Sequence, residues 1–198
     1  MIKVGLTGGI GSGKTVIAKI FSSLQVPIYD SDSRAKYLMN TNEEVKKKIT
    51  ELIGDNAYKN SELQKNIIAN AIFSNNDIKT KLQDIVHPCV RKDFLDWAIL
   101  QKSPYVIMES ALIFDTDLYT YFDFIIMVTS TMQNRIERIK KRDNILEEEI
   151  IKRIKMQPQE EICRLKSHFV VENNNTFVMS QVIEIHNKIC NKLERVNG

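Results

Sequence analysis

The chain has 198 residues, enough for one α/β core with appendages and too few for two full domains. Hydrophobic residues make up 43% of it and charged residues 27%, near the globular averages, which excludes a disordered or fibrous chain. The formal net charge of +3 at pH 7 is too close to balance to indicate a nucleic-acid partner, because phosphate-driven binding needs a pronounced basic face.

Hydropathy and cysteine content predict the cellular location of the protein. No apolar stretch approaches the roughly 20 residues that cross a bilayer, and the N-terminal run has neither the apolar core nor the cleavage site of a signal peptide. The cysteines, Cys89, Cys163 and Cys190, are widely separated and lack C-x-x-C spacing, which disfavours disulfides and a zinc site. We therefore expect a cytoplasmic protein without a membrane partner.

Short apolar runs alternate with helical patterns along the chain. Residues 2–7 are apolar and end in a glycine cluster, which predicts a buried strand, and residues 14–24 show helical spacing. Four further runs predict strands: 26–29, 105–108, 124–128 and 169–171. This alternation predicts an α/β fold with a parallel five-stranded sheet between two helical layers.

Two long segments exceed ordinary connections between strands. Residues 33–103 have helical patterning and little β-propensity, which predicts an all-helical insertion of the kind that builds an acceptor site. Residues 131–166 predict two charged amphipathic helices that meet at Asp143-Asn144 and end near Pro158, as in a mobile lid. We expect both within a single domain, 1–198, closed by an amphipathic helix over 177–193 that packs on the sheet.

The clearest motif is a phosphate-binding loop. Residues 8–15 (GGIGSGKT) match G-x-x-x-x-G-K-[ST] between a predicted strand and a predicted helix. In this P-loop the backbone N–H groups point at phosphates, Lys14 reaches the β- and γ-phosphates, and the Thr15 hydroxyl ligates Mg²⁺. A glycine-rich turn that binds nothing would not need the Lys-Thr pair. We assign ATP binding to Gly9, Gly11, Ser12, Gly13, Lys14, Thr15 and Val16.

A regulatory GTPase is the first alternative, and it belongs to a different functional class. Such a switch needs a D-x-x-G motif, but Gly54 has Glu51 three positions before it. Neither Asn187-Lys188 nor Asn191-Lys192 is followed by the guanine-reading Asp. The sequence therefore favours a small-molecule kinase, which needs a carboxylate near the acceptor hydroxyl and cations over the transferred phosphoryl group.

Carboxylates follow the second predicted strand. Asp30 and Asp32 flank Ser31 there, so at least one of them should project from the carboxyl edge of the sheet, where ligands bind in open α/β folds. Asp32 is the candidate general base, and Asp30 either caps a helix or assists magnesium. The alternative is that both residues only cap a helix that begins near Ser33.

Basic side chains mark two further places. Pro88 predicts a helix start that brings His87 and Arg91 together, where they can meet substrate phosphate or merely form a capping and solvation pair. Arg138 and Arg142 lie at i and i+4 on one helix face that can close over phosphates. The alternative for that face is an ordinary solvated surface.

Over essentially its entire length the sequence resembles the dephospho-CoA kinase family. Residues 5–14 (GLTGGIGSGK) resemble the family's opening, and Asp30-Ser31-Asp32 resembles its D-x-D, whose second Asp is taken as the base. Three later segments resemble its I-x-H-P-x-V-R, D-x-P-L-L-F-E and lid patterns: 85–91, 109–115 and 133–143 with Arg153 and Gln157. Asn173 matches the family's asparagine near adenine.

The sequence departs from the family pattern at a few positions. Position 109 has Glu where the family pattern has Asp, and position 115 has Asp where the pattern has Glu. Ala111 replaces proline, and Thr15 replaces the more frequent serine. Each acidic exchange keeps the charge, and Thr15 keeps the hydroxyl ligand. These departures therefore affect fine positioning and leave the expected chemistry in place.

The resemblance implies transfer of the ATP γ-phosphoryl group to the ribose 3′-hydroxyl of dephospho-CoA, giving CoA and ADP in the final step of coenzyme A biosynthesis. It implies catalytic roles for Lys14, Asp32, Arg138 and Arg142, and acceptor binding by Asp32, His87 and Arg91. We expect ATP as the co-substrate with Mg²⁺ at Thr15, and a monomer or weak homo-oligomer. The alternatives are another P-loop kinase with a small acceptor and a noncatalytic nucleotide-dependent switch.

Overall fold

The computed structural model describes residues 1–114 and 117–196, and it gives the backbone alone at positions 76, 117 and 193–196. The chain divides into two units, the first formed by residues 1–29 with 101 onward and the second by residues 30–100. The strands are β1 (Ile2–Thr7), β2 (Ile28–Asp30), β3 (Tyr58–Lys59), β4 (Glu62–Leu63), β5 (Tyr105–Glu109), β6 (Phe124–Thr129) and β7 (Phe169–Glu172). The α-helices are α1 (Lys14–Ser23), α2 (Ser31–Thr41), α3 (Glu43–Ile53), α4 (Lys65–Ser74), α5 (Asn76–Ile99), α6 (Met132–Asp143), α7 (Glu147–Lys155), α8 (Glu160–Leu165) and α9 (Met179–Val196).

The first unit is built on a five-stranded sheet in the order β2-β5-β1-β6-β7. The pairs β1–β5, β1–β6 and β6–β7 are parallel, with Leu6 opposite Glu109 and Thr7 opposite Met127. This register brings the carboxyl ends of β1, β5 and β6 to one edge, where the phosphate-binding loop begins. The predicted parallel five-stranded sheet is confirmed.

Helices α1 and α9 share a hydrophobic core with the sheet. Phe21 of α1 and Val182 of α9 are fully buried in one cluster with Val4 and Leu6 of β1. The terminal helix, predicted to start at residue 177, starts at Met179 and buries its apolar stripe in this cluster. Its predicted packing on the sheet is confirmed, and β1 is fixed between its neighbouring strands and this core.

Strand β2 is displaced from its prediction by the end of α1. The Val26 N–H, which a strand from residue 26 would use in the sheet, donates to the Phe21 carbonyl at 3.2 Å and closes the helix. Gln25 has a φ of 63°, in the left-handed region that commonly ends helices. The strand therefore starts at Ile28.

The segment predicted as a lid of two helices contains three. The predicted turn at Asp143-Asn144 is present, since Asn144 ends α6 with a φ of 51°. Buried Ile136 and Ile139 of α6 pack with Ile150 and Ile154 of α7. Helix α8 follows the proline that the sequence analysis took as the end of the lid, because a proline ahead of a helix start removes no helical hydrogen bond.

The second unit departs from its all-helical prediction by one short hairpin. Strands β3 and β4 pair antiparallel, with Tyr58 opposite Leu63. The two residues between them, Asn60 and Ser61, have φ values of 53° and 64°, as a tight hairpin turn requires.

Helix α5 also corrects a prediction, because it passes through Pro88 without a new start. The proline removes one backbone hydrogen bond, but α5 buries Val86, Val90, Phe94 and Ala98 in a continuous apolar stripe. Helices α2 and α3 pack against α5. This packing outweighs the local break that the proline favours.

The described part of the chain contains no helix that is both long enough and apolar enough to cross a membrane.

Replacing Phe21 by Ala should lower the free energy of unfolding by about 3–5 kcal/mol, because it opens a cavity where the side chain is fully buried. Phe177 provides the matched control, since its side chain is 80% exposed. Phe177→Ala should change the stability by less than about 0.5 kcal/mol. Urea unfolding followed by circular dichroism measures both, and equal losses for the two variants would contradict this assignment of the core.

Candidate active site

The phosphate-binding loop, residues 8–13, joins β1 to α1 at the carboxyl edge of the sheet. Gly13 caps α1 with a φ of 93°, and Lys14 is the first helical residue. The Lys14 Nζ donates to the Gly8 carbonyl oxygen at 2.9 Å, so the ammonium group reaches back across the loop. Loop amides, the α1 N-terminus and this ammonium group together form a site suited to a polyphosphate.

Two loop glycines are required by close approach of other side chains. A Cβ at Gly9 would collide with the Arg135 guanidinium and the Gln157 amide oxygen, and a Cβ at Gly13 would collide with the Asn173 amide. At Gly13 the left-handed backbone, with a φ of 93°, disfavours other residues as well. A side chain at either position would therefore have to displace Arg135 and Gln157 or Asn173 from the loop.

The Thr15 hydroxyl, predicted to ligate Mg²⁺, meets an acidic partner. It donates to Glu109 Oε1 at 2.8 Å, where Glu109 is the last residue of β5. A hydroxyl and a carboxylate give the all-oxygen donors that Mg²⁺ prefers, and Mg²⁺ usually takes only one or two protein ligands beside phosphates and water. The residues present therefore fit the metal. The described residues contain no group of three or more acidic, His or Cys side chains able to hold a metal by themselves.

Arg135 of α6 lies directly against the loop. Its side chain is buried, its Nε donates to the Ile10 carbonyl at 2.9 Å, and its Nη1 pairs with the Glu160 carboxylate at 3.0 Å. Its Nη2 donates to Gln157 Oε1 at 2.9 Å, and the same oxygen accepts the Ile10 N–H at 2.9 Å. Burial lowers the pKa of the Arg135 guanidinium, and the Glu160 carboxylate partly opposes this shift.

Arg138 and Asn173 hold the side of the loop nearer α1. Arg138 Nη1 donates to the carbonyls of Gly11 and Ser12, both at 3.2 Å, and its Nη2 donates to the Asn173 carbonyl at 2.8 Å. The buried Asn173 amide donates to the Ser12 carbonyl at 2.9 Å. In this structure both side chains hold loop carbonyls. The predicted roles of Arg138 in catalysis and of Asn173 beside adenine stay predictions.

Arg142 lies at the end of α6 and faces solvent. Its Nε and Nη2 donate to the Asp143 carboxylate at 2.7 and 2.9 Å, and its side chain is 62% exposed. Arg138 and Arg142 lie on the same helix, but Arg138 donates hydrogen bonds to the loop and Arg142 donates to Asp143. The role predicted for Arg142 over the phosphoryl group remains a prediction.

A cleft of about 330 Å³ opens beside the loop. Its walls include Gly8 and Gly9 of the loop, Phe114 after β5, and Arg135, Gln157 and Ile154 of the lid segment. The cleft is large enough for part of an organic ligand next to the phosphate position. Asp115, which the sequence comparison included in the stretch after β5, lies outside the described residues.

In the second unit Asp30, the last residue of β2, and Asp32, in the first turn of α2, have different roles. Asp30 Oδ1 accepts the N–H groups of Asp32 and Ser33, each at 3.1 Å, so Asp30 is the N-cap of α2. The helix begins at Ser31, two residues before the predicted start. The Asp32 side chain is exposed and forms no hydrogen bond or ion pair within the described residues. Capping therefore accounts for Asp30 and leaves the Asp32 carboxylate unexplained.

His87 and Arg91 lie one turn apart on α5, in the middle of the helix and not at its start. Both are half-buried. Burial lowers the pKa of His87, and the nearby Asp84 opposes the shift, so the imidazole is neutral at pH 7. A neutral imidazole can donate a hydrogen bond to phosphate, and Arg91 contributes a guanidinium group one turn away.

Comparison with known proteins places the chain in a family. The sequence profile described as CoaE, dephospho-CoA kinase, matches residues 2–178. The chain belongs to the dephospho-CoA kinase family. The dephospho-CoA kinase of Porphyromonas gingivalis is 36% identical over 187 residues, which cover 93% of each chain.

Solved structures agree on the fold. The Thermus thermophilus protein TT1252 has a TM-score of 0.81 and 26% identity, covering 97% of each chain. A dephospho-CoA kinase from Campylobacter jejuni has a TM-score of 0.71 and 23% identity over 94% of this chain and 96% of its own. The dephospho-CoA kinase family fold, a P-loop kinase fold, is therefore confirmed for this chain.

Three residues of the site have no role that the sequence alone predicts. Glu109 was noted only for its departure from the family pattern, and Arg135 and Gln157 only as parts of the lid pattern. Arg135 precedes Ile136 and lies four positions before Ile139, so it falls on the buried face of α6, and an arginine there needs fixed partners. That position was the available signal, but its partners lie too far along the chain to be inferred locally.

Proposed function

We propose that this member of the dephospho-CoA kinase family transfers the γ-phosphoryl group of ATP to the ribose 3′-hydroxyl of dephospho-CoA. The observation that carries the proposal is the Thr15–Glu109 contact beside an intact phosphate loop, in a chain of this family. The threonine hydroxyl and the carboxylate together fit a Mg²⁺ ion beside the phosphate loop, and membership of the family supports dephospho-CoA as the acceptor. The contact supports metal-assisted phosphoryl transfer.

Loop residues bind the nucleotide phosphates. The amides of Gly11, Gly13 and Lys14 donate to the phosphate oxygens, and the Lys14 ammonium leaves the Gly8 carbonyl to neutralise charge on the β- and γ-phosphates. Phosphoryl transfer passes through a loose transition state, so most of the catalysis comes from alignment and charge neutralisation. The loop supplies both.

Thr15 and Glu109 would hold the magnesium ion. When bound, Mg²⁺ supplies neutralisation of the negative charge that builds up on the phosphate oxygens. The support is the pairing of a hydroxyl and a carboxylate at the carboxyl edge of the sheet, each the type of ligand that this metal takes. Glu109 positions the hydroxyl by accepting its proton in a hydrogen bond.

Asp32 is the general base for the acceptor. Its exposed carboxylate accepts a hydrogen bond from the 3′-hydroxyl, orients the oxygen and takes the proton as the bond to phosphorus forms. Its place in the first turn of α2 supports this role, because capping is already supplied by Asp30. The family's D-x-D pattern supports the same choice.

Basic residues complete the proposed mechanism. Arg91 binds a phosphate of the acceptor by charge and His87 by donating a hydrogen bond, as supported by their spacing on α5. Arg142 exchanges Asp143 for the transferred phosphoryl group, while Arg138 assists from the loop side. We assign acceptor binding to an insertion at 33–103 and closure to a lid at 131–166 of one domain, in a cytoplasmic monomer or weak homo-oligomer.

ADP formation from Mg-ATP tests the acceptor directly. With dephospho-CoA we expect turnover, whereas adenosine, AMP, gluconate and a control without acceptor should give little ADP. Mass spectrometry of the product should place the new phosphate on the ribose 3′-oxygen. Turnover with another acceptor in place of dephospho-CoA would overturn the proposed substrate while leaving the kinase fold unaffected.

Replacing Asp32 by Asn should lower kcat by about 10²–10⁴-fold, because the amide cannot accept the hydroxyl proton. The dissociation constant for ADP should stay unchanged. Asp30→Asn is the matched comparison, since asparagine also caps helices and should preserve α2. A larger loss of kcat at Asp30 than at Asp32 would reverse the assignment of the base.

Replacing Glu109 by Gln should raise the Mg²⁺ concentration needed for half-maximal ADP formation by about tenfold, because the ligand pair loses its charge. Glu172 ends strand β7 of the same sheet and pairs with Arg164 at 2.9 Å, so Glu172→Gln is the control and should leave the Mg²⁺ dependence unchanged. A magnesium titration at saturating ATP gives both values. An unchanged Glu109→Gln titration would remove Glu109 from the metal site.

A further inference from the structure

The Gln157 side chain occupies a position on the phosphate loop that suits an anion. Its Oε1 accepts two hydrogen bonds at 2.9 Å, one from the Ile10 N–H and one from Arg135 Nη2. Both partners are donors, so the oxygen of the amide faces them. A loop amide and a guanidinium that converge on one oxygen form the arrangement that binds a phosphate oxygen.

Ile10 lies in the first half of the loop, farther along the chain from α1 than Gly11, Ser12 and Gly13. The amides next to the helix N-terminus take the inner phosphates of a nucleotide, and Lys14 reaches the β- and γ-phosphates. The Lys14 ammonium already extends to the Gly8 carbonyl, at the same end of the loop as Ile10. The Ile10 N–H is therefore placed for the terminal phosphate.

The charges around Arg135 favour replacement of the Gln157 side-chain oxygen by a phosphate oxygen. The guanidinium is buried and bonds to two neutral oxygens, the Ile10 carbonyl and Gln157 Oε1. Among the described residues its carboxylate partner is Glu160, whose side chain is 42% exposed. A phosphate oxygen at the Gln157 position would give the guanidinium an anionic acceptor in place of a neutral one, and it would make the Ile10 N–H bond charge-assisted as well. Gly9 lacks the Cβ that would collide with both side chains, so the loop is shaped around this pair.

We propose that Arg135 and the Ile10 amide bind an oxygen of the terminal phosphate of ATP, and that Gln157 fills this position until the triphosphate displaces it. Gln157 and Arg135 thereby determine the preference for a triphosphate over a diphosphate. Because ADP lacks the third phosphate, it leaves the glutamine in place. The proposal rests on the proposed use of ATP and requires nothing of the acceptor.

The test compares the binding of two nucleotides by calorimetry, without acceptor and at fixed Mg²⁺. The probes are ADP and adenosine 5′-(β,γ-imido)triphosphate. In Gln157→Glu a fixed carboxylate competes with the terminal phosphate, so the ratio of the triphosphate to the ADP dissociation constant should rise about tenfold. Gln157→Leu removes the competing oxygen and should bind the triphosphate at least as tightly as the unaltered chain.

Lys152→Gln is the control, because it changes the net charge by the same amount on an exposed position of α7. It should leave the ratio unchanged. Equal weakening of both nucleotides in Gln157→Glu, or no change in either, would overturn the proposal. If thermal melting shows that Gln157→Glu does not fold, Gln157→Leu decides, and a loss of triphosphate affinity relative to ADP overturns it.

The outcome is separate from the identity of the acceptor. A shifted ratio in a chain that does not phosphorylate dephospho-CoA would support this inference and reject the proposed substrate. Turnover of dephospho-CoA with an unchanged ratio of the dissociation constants would support the proposed substrate and reject this inference.

Discussion

A loop that turns its N–H groups toward phosphate turns its carbonyl groups away from it, and those carbonyls need hydrogen-bond donors from elsewhere in the protein. The rest of this site depends on which side chains supply these donors. Buried carbonyls without donors are costly. Here Lys14 bonds to Gly8, Arg135 to Ile10, and Arg138 to Gly11. The remaining loop carbonyls accept from three sources, Asn173, the Ser12 amide and the first turn of α1. Every carbonyl from position 8 to 13 therefore has a donor.

Helix α6 supplies the two guanidinium groups from one face. Arg135 and Arg138 lie three residues apart, the spacing that places side chains side by side, and their targets are adjacent stretches of the loop. Burial of Ile136 and Ile139 against α7 holds the helix in place behind them. The arginines of α6 nearest the loop therefore support its backbone, whereas Arg142, beyond the loop, faces solvent.

Features that depend on residues close together in the sequence could be predicted from it. Features that depend on contacts between distant residues could not. The strands, the phosphate loop and the turn at Asn144 follow from alternation, motif and conformational preference within a few residues. Pro88 was misinterpreted because the apolar stripe of α5 meets α2 and α3, which a local reading cannot weigh against a lost hydrogen bond. Asn60 was the one local signal for the hairpin turn. The roles of three site residues could be assigned only from their distant partners: Glu109, Arg135 and Gln157.

Those distant partners also order events during folding. The Arg135 bond to Ile10 spans 125 residues and the Asn173 bond to Ser12 spans 161. Contacts of such separation form late, because the intervening chain must first be brought together. Lys14 is close in sequence to the carbonyl that it supports, but Arg135 and Arg138 come from α6 and Asn173 follows β7. A growing chain on the ribosome therefore carries the motif long before most of the side chains that support the loop have been synthesised.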